Sequence, residues 1–402
     1  MKYLLTSATL LGLSISQVFA TEIPSISNPE IGVVLDGFYQ DGERAFSERE
    51  EGFGLGHSEL AFSANIDDKF RGVLMAVLHS HHGKTELELE EAFIETTSLP
   101  WSAKIKAGRF LSNFGYLNGK HMHEDAFTER PAVYRALLGG HYFDDGVQGS
   151  ILFPTDFYLE LSGEALAGKK MDAGFDNPGT VGIATAKIKT GMDINESHSW
   201  MLGLSYLRNG NGYMQFKDDH DHAGHDHHAH TRHGDHGGHD HGSHDHSHGP
   251  SFTGRNLYGI DFTWKWAPEG NYKYQNFRFT AEYLKLDDLY ESPFSELEGA
   301  RDSIDGYYAA AVYQFTPNWS VSLRASQFDH FIAHGVHSHG DHAHGHFHDE
   351  EITELDAALA WHNSHFGVIR GQYTQQRYQD KTDNIFSIHY VMTFGAHGAH
   401  AF

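Results

Sequence analysis

From Asp218 to His248 the chain reads DDHDHAGHDHHAHTRHGDHGGHDHGSHDHSH and holds thirteen histidines. They are His220, His222, His225, His227, His228, His230, His233, His236, His239, His241, His244, His246 and His248. A second run supplies His330, His334, His337, His339, His342, His344, His346 and His348, so the two runs account for 21 of the 34 His in 402 residues. Neutral imidazole is a borderline ligand suited to zinc, copper and nickel, and the interleaved Asp residues add oxygen ligands and negative charge. Gly and Asp leave the first run too poor in apolar side chains to pack. It is therefore expected to be disordered without metal and to hold several exchangeable ions rather than one rigid site. The same residues also fit a soluble low-complexity loop that binds metal incidentally, or a pH sensor, because imidazole titrates near neutrality.

Two smaller clusters repeat the chemistry. His79, His81 and His82 stand together, and His121 and His123 are followed by Glu124 and Asp125. If the segment carrying His121 folds into the interior of the protein, these four side chains become an inner set of metal ligands; otherwise they are ordinary loop polarity.

The charge balance agrees with a cationic partner. Against 54 acidic residues stand 29 Lys and Arg, a formal net charge of −25 with His neutral. Nucleic acid and anionic surfaces are poor partners for such a chain and cations good ones. Below about pH 6.5, where imidazole protonates, the His content offsets much of this charge. The chain has no Cys, so thiolate ligands and disulfides are excluded. No cofactor is required by anything in the sequence, and no GxSxG, GxxxxGK[ST] or HExxH motif points to an enzyme.

The elements that must position these residues are strands. Residues 1–20, MKYLLTSATLLGLSISQVFA, carry a Lys, a short apolar stretch and a Val-Phe-Ala ending, which reads as a signal peptide with the mature chain, residues 21–402, starting at Thr21. No later segment offers eighteen uncharged apolar residues, which excludes a helical membrane protein. Aromatics at 13% and 43 Gly suit turn-rich β structure, and a negative mean hydropathy does not argue against a barrel that is apolar on one face only.

Period-2 segments of about ten residues fall near 30–40, 55–66, 69–80, 86–96, 102–111, 145–153, 156–164, 181–190, 198–208, 254–266, 276–286, 304–315, 318–327, 351–361, 364–374 and 384–402. The connections after even strands are short, Ala267–Gln275 excepted, and those after odd strands are mostly long, including 112–144, 209–253 and 328–350. Short turns on one side and long loops on the other predict an all-β fold: a transmembrane antiparallel β-barrel of about sixteen strands with short periplasmic turns and long extracellular loops. In the last segment Phe386, Ile388, Tyr390, Met392, Phe394, Ala396 and the terminal Phe402 share one parity, expected to face lipid, while Ser387, His389 and Thr393 face a polar lumen. Too few residues separate Thr21 from the first strand for the plug of a TonB-dependent transporter.

In the fourth segment, Glu86, Glu88 and Glu90 alternate with Leu87 and Leu89, but strict alternation would then aim Glu91 at lipid, a costly placement. A β-bulge there returns Glu90 and Glu91 to the lumen. Asp36 and Glu282 are expected as further lumen carboxylates.

The run Gly108-Arg109-Phe110, Phe114-Gly115, Asp125, Arg130-Pro131, Arg135 and Asp144-Asp145-Gly146-Val147-Gln148 resembles the phosphate-selective porin superfamily over about 45 residues. The resemblance implies a sixteen-stranded porin, often a homotrimer, whose third outer loop narrows the pore; the His-rich loops are like those of zinc-associated outer-membrane proteins. Phosphate selectivity is not carried over, because Lys and Arg do not cluster, although Lys104, Lys106, Arg109, Arg130 and Arg135 are candidates for a mixed-charge constriction. Zinc, nickel or copper is then expected as bound or transported ion, at a channel in the Gram-negative outer membrane with His loops at its mouth. The alternatives are a general or anion-type small-solute porin whose loops buffer metal, and a metal-dependent surface interaction protein, which a barrel closed by side chains would favour.

Overall fold

The computed structural model describes residues 29–81, 84–171, 181–213, 250–290, 297, 299–339 and 342–395. The signal segment 1–20, the first His run at 218–248, His82 and the terminal Phe402 lie outside them, and the side chains of His79, His81, His334, His337, His339, His342 and His344 are not described.

Among the described residues seventeen strands, β1 (Glu30–Gln40) to β17 (Lys381–Gly395), form one antiparallel sheet closed by β1 on β17, from Gly32 opposite Gly395 to Gln40 opposite Ser387. The expected sixteen staves are present. The additional strand arises because the second stave is broken: β2 (Gly52–Leu55) and β3 (Ser58–Asn65) both pair with β1, with three residues, Gly56 to Ser58, opposing Leu35 and Asp36. Asp36 fastens this bulge. Its carboxylate accepts the His57 amide at 3.1 Å, its carbonyl accepts the Gly56 amide, and its own amide donates to Ser58 Oγ.

Alternation along the strands separates two faces. On β17, Phe386, Ile388 and Phe394 are 44–49% exposed while Ser387 and His389 between them are buried; Tyr390 and Met392 lie half-buried on the outward parity. Leu35, Leu74, Ile94, Ile105, Val147, Leu161, Ile188, Leu204, Ile260, Leu323 and Leu355 continue the apolar surface around the barrel. Near the short turns, Trp101, Tyr272, Tyr274, Trp319, Trp361 and Phe366 are exposed, an aromatic girdle where headgroups meet water. No helix among the described residues is long and apolar enough to cross a membrane; the strands do so, in a sheet that the pairing of β1 with β17 closes.

The expected loop 328–350 is instead a hairpin. β14 (Trp319–His339) and β15 (His342–Ser364) pair out to His339 opposite His342, with a register shift between His334 and His337. Apolar packing at its root extends the ladder: Phe328, Phe331 and Phe347 contact Phe252, Phe46 and Tyr290.

The long connection 112–142, between β6 (Ala103–Leu111) and β7 (Phe143–Leu152), folds into the lumen. Its helix α1 (Ala132–Leu138) has all seven residues buried, and Ala132, Val133, Tyr134, Leu137 and Leu138 share a core with Phe114, Leu284, Ile304, Tyr308 and Phe328 of the wall and loops. At this level α1 and the wall pack into one apolar core within the lumen.

Polar contacts distribute this segment over the wall. Tyr116 N and Tyr134 Oη donate to Glu282 Oε1, at 2.9 and 2.8 Å. Thr128 N meets Gln372, Arg370 donates to Asp125 O, and Arg135 forms a 2.6 Å pair with Glu354. Gly115, at φ +66°, sits where a Cβ would crowd Glu282 Oε1 and Tyr134 Oη, so a larger residue there is strained and must displace one of these contacts.

A candidate metal centre between the inner loop and the barrel wall

The strand β5 (Lys84–Thr96) carries the expected bulge. Met75 of β4 (Phe70–His81) opposes Glu91 and Ala76 opposes Leu89, so Glu90 is the extra residue in the ladder. Leu87 and Leu89 stay exposed on the outward face, whereas Glu90 and Glu91 are 1% and 6% exposed and both turn inward. Across the strand pair, Gly108 of β6, at φ +129°, leaves room where a Cβ would strike Ala92 O at 2.2 Å, so β6 closes tightly beside the bulge.

His57 from the broken second stave and Glu59 from β3 approach Glu90 along the wall. His57 Nε2 is 3.7 Å from Glu90 Oε1 and His57 Nδ1 is 3.4 Å from Glu59 Oε1. The inner segment contributes the other three histidines. His141 Nε2 lies 2.9 Å from Glu90 Oε1; His121 Nδ1 is 3.8 Å from Glu90 Oε2 and its Nε2 is 3.7 Å from Glu91 Oε2; His123 Nδ1 is 2.7 Å from Glu59 Oε1. The His57 and His141 rings meet edge to face at 4.9 Å, and His121 stacks on His123 at 5.8 Å.

Arg130 holds the two ends of this arrangement. Its fully buried guanidinium donates to Lys120 O at 2.7 Å, Gly140 O at 3.0 Å and Asp125 Oδ2 at 2.9 Å. Lys120 and Gly140 immediately precede His121 and His141, so one side chain fixes the approach of both rings.

Two sets of donors lie close enough together to share an ion. His57, Glu90 and His141 form one and Glu59, Glu90 and His121 the other, with the donor atoms of each set within 4.8 Å of one another. Glu59 Oε2, Glu90 Oε2, His121 Nδ1 and His141 Nδ1 are buried and make no hydrogen bond. Burial opposes protonation of His141 and lowers it from the ordinary imidazole value despite the neighbouring Glu90. Burial also opposes charge on His121, but Glu90, Glu59 and Glu91 outweigh it and push that imidazole up to about 10. Mixed imidazole and carboxylate donors suit zinc and its neighbours. A cavity of about 270 Å³, lined by His57, His141, Arg49, Ser80, Glu88 and Met122 among others, opens beside the cluster and reaches the outer ends of β4 and β5.

Of the histidines expected as ligands, the structure brings His121 and His123 into this centre. His330 stands elsewhere, buried in a ring of Phe46, Phe252, Phe328 and Tyr378 with neither ring nitrogen hydrogen-bonded. His346 and His348 are exposed on the outer hairpin, with His348 Nε2 at 3.3 Å from Glu350. His57, His141 and Glu59 were not singled out in the sequence. The break in alternation at Gly56-His57 and the isolated His141 after Gly139-Gly140 were the available signals.

Of the residues considered for a mixed-charge constriction, Lys104 is exposed on β6. Arg109 shares the outward parity of Ile105 and Ala107 and forms a bidentate pair with Asp145 at 2.8 and 3.0 Å. Arg130 and Arg135 are consumed in anchoring the inner segment, and Lys106 lies over the Phe93 and Phe110 rings. Asp36 and Glu282 face inward as expected, but they tie down the bulge and the inner segment rather than forming a ring of free charge.

No family model matches the chain. An uncharacterized protein of Aquifex aeolicus is 27% identical over 415 residues, covering 96% of this chain and 76% of its own. Among solved structures, OprB of Pseudomonas putida is 9% identical over 91% of this chain and 94% of its own, with a TM-score of 0.54. The anion-selective porin of Comamonas acidovorans is 10% identical over 92% and 99%, with a TM-score of 0.52. OmpT of Vibrio cholerae in its trimer form is 9% identical over 91% and 98%, with a TM-score of 0.52. The fold is that of outer-membrane porins, and an apolar outer belt on a closed sixteen-stave barrel is the construction of the bacterial outer membrane.

Proposed function

We propose that this chain is an outer-membrane channel that admits divalent transition-metal ions, zinc first, with the centre between the inner segment and the wall as the station through which ions pass. The observation that carries the reading is the convergence of His57, His121, His141, Glu59 and Glu90 at the inner segment, beside a cavity reaching outward. A pore that offers imidazole and carboxylate in place of a hydration shell favours the ions those groups bind, provided binding is weak enough to release them. The two His-rich outer segments raise the local concentration of the same ions at the mouth. The trimer form of OmpT supports a homotrimer as the assembly.

Reversal potentials across a bilayer holding the refolded protein test selectivity. With a KCl gradient the carboxylate excess gives cation preference, and with zinc on one side the potential moves toward the zinc equilibrium value. A chloride preference restores the anion-porin reading. The packing of α1 against the wall inside the lumen favours a second reading, a metal-dependent surface protein with a closed barrel, and that reading requires no conductance to any ion.

A further inference from the structure

We propose that the inner centre holds two divalent transition-metal ions side by side, with Glu90 as the carboxylate that bridges them. The inference rests on the metal-channel reading and adds to it the number and arrangement of ions in the station.

The two donor sets have Glu90 in common and no other residue. The closest contacts of their histidines reach different oxygens of it. His141 and His57 approach Oε1, at 2.9 and 3.7 Å, whereas His121 approaches Oε2 at 3.8 Å. A tetrahedral zinc with bonds of about 2.0–2.2 Å spans donors roughly 3.5 Å apart, so each set fits one ion with small shifts of side chains. A syn–syn carboxylate between two such ions is the arrangement of two-metal sites, where the ions stand about 3.5–4 Å apart.

The second set is the less satisfied one without metal. Glu90 and Glu59 are 1% and 2% exposed, and Glu90 Oε2, Glu59 Oε2 and His121 Nδ1 are its donor atoms that make no hydrogen bond. Buried polar atoms without a hydrogen bond are costly, and a divalent cation coordinated by them satisfies them directly. Glu91 Oε2, 3.7 Å from His121 Nε2, stands ready to take up that ring's other nitrogen. The bulge explains why the bridge is possible: only an extra residue in the ladder places two successive carboxylates, Glu90 and Glu91, on the inward side.

The test counts zinc bound per full-length chain by equilibrium dialysis at fixed free zinc, with heat-modifiable migration as the check that each barrel is folded. Relative to wild type, His141→Ala and His121→Ala each lose one ion, and Glu90→Gln loses two. Loss of one ion or none from Glu90→Gln, or loss from His141→Ala as large as from Glu90→Gln, overturns the bridge. Parallel-mode EPR of the cobalt-loaded protein gives a second readout: a coupled pair gives an integer-spin signal that Glu90→Gln abolishes, and a signal absent from wild type or retained in Glu90→Gln overturns the proposal independently. Two ions counted in a barrel that conducts no zinc would retire the channel reading and leave the bridge standing, and the converse result would do the reverse.

Discussion

His141 Nε2 lies 2.9 Å from Glu90 Oε1, joining the end of the inward-folded segment to the one residue of β5 that has no partner in the ladder. Removing an outer partner of a metal ligand already costs 10–100-fold in affinity, so removing a ligand costs about 100-fold or more. His141→Ala is therefore expected to weaken the tightest zinc site by about two orders of magnitude in a competition titration with a zinc dye. An unchanged affinity would mean that the tightest site lies elsewhere on the chain.

Arg130 makes a buried ion pair with Asp125 and two hydrogen bonds to backbone carbonyls beside His121 and His141. Arg130→Met leaves the carboxylate and both carbonyls unpaired, at a cost of about 3–5 kcal/mol. Urea unfolding should show that loss, and zinc affinity should fall about 10–100-fold although no ligand has been touched. A destabilised protein with wild-type zinc affinity would separate Arg130 from the centre.

Leu355 is 56% exposed on the outward face of β15 and pairs across to Ala325. In a bilayer that surface meets hydrocarbon, so Leu355→Arg should cost about 2–4 kcal/mol near the midplane. Reversible unfolding from lipid vesicles reads the difference. A cost below about 0.5 kcal/mol would show that this face meets water, since surface substitutions in water are of that size.

The fold was largely legible because a barrel writes itself twice, in period-2 alternation and in the alternation of short and long connections. Its departures were local. The second stave breaks at Gly56-His57 because Asp36 satisfies the freed amides, a contact between strands that no single-strand pattern carries. The outer hairpin extends over the His run because aromatic residues on other segments, Phe252 and Tyr290, support it. The centre was half legible: paired His121 and His123 and the strained alternation at Glu90-Glu91 were visible, but His57 and His141 are isolated in sequence. They meet only because the inner segment crosses the lumen, and that path is set by long-range pairs such as Arg135 with Glu354.

The segment 218–248, with thirteen His, is expected to act by local concentration. Deleting it should slow zinc entry into cells at submicromolar zinc and leave uptake of an uncharged sugar unchanged. At saturating zinc the two strains should converge. Equal zinc entry at all concentrations would reduce the segment to a buffer.

The central claim is that zinc crosses this barrel by way of Glu90 and its histidine partners. Proteoliposomes with a zinc-sensitive dye trapped inside measure that crossing directly. Wild-type protein should admit micromolar zinc well above the lipid-only rate, and Glu90→Gln, folded by heat-modifiable migration, should admit it at least tenfold more slowly. Zinc entry no faster than through lipid alone, or equal entry through wild type and Glu90→Gln, would contradict it.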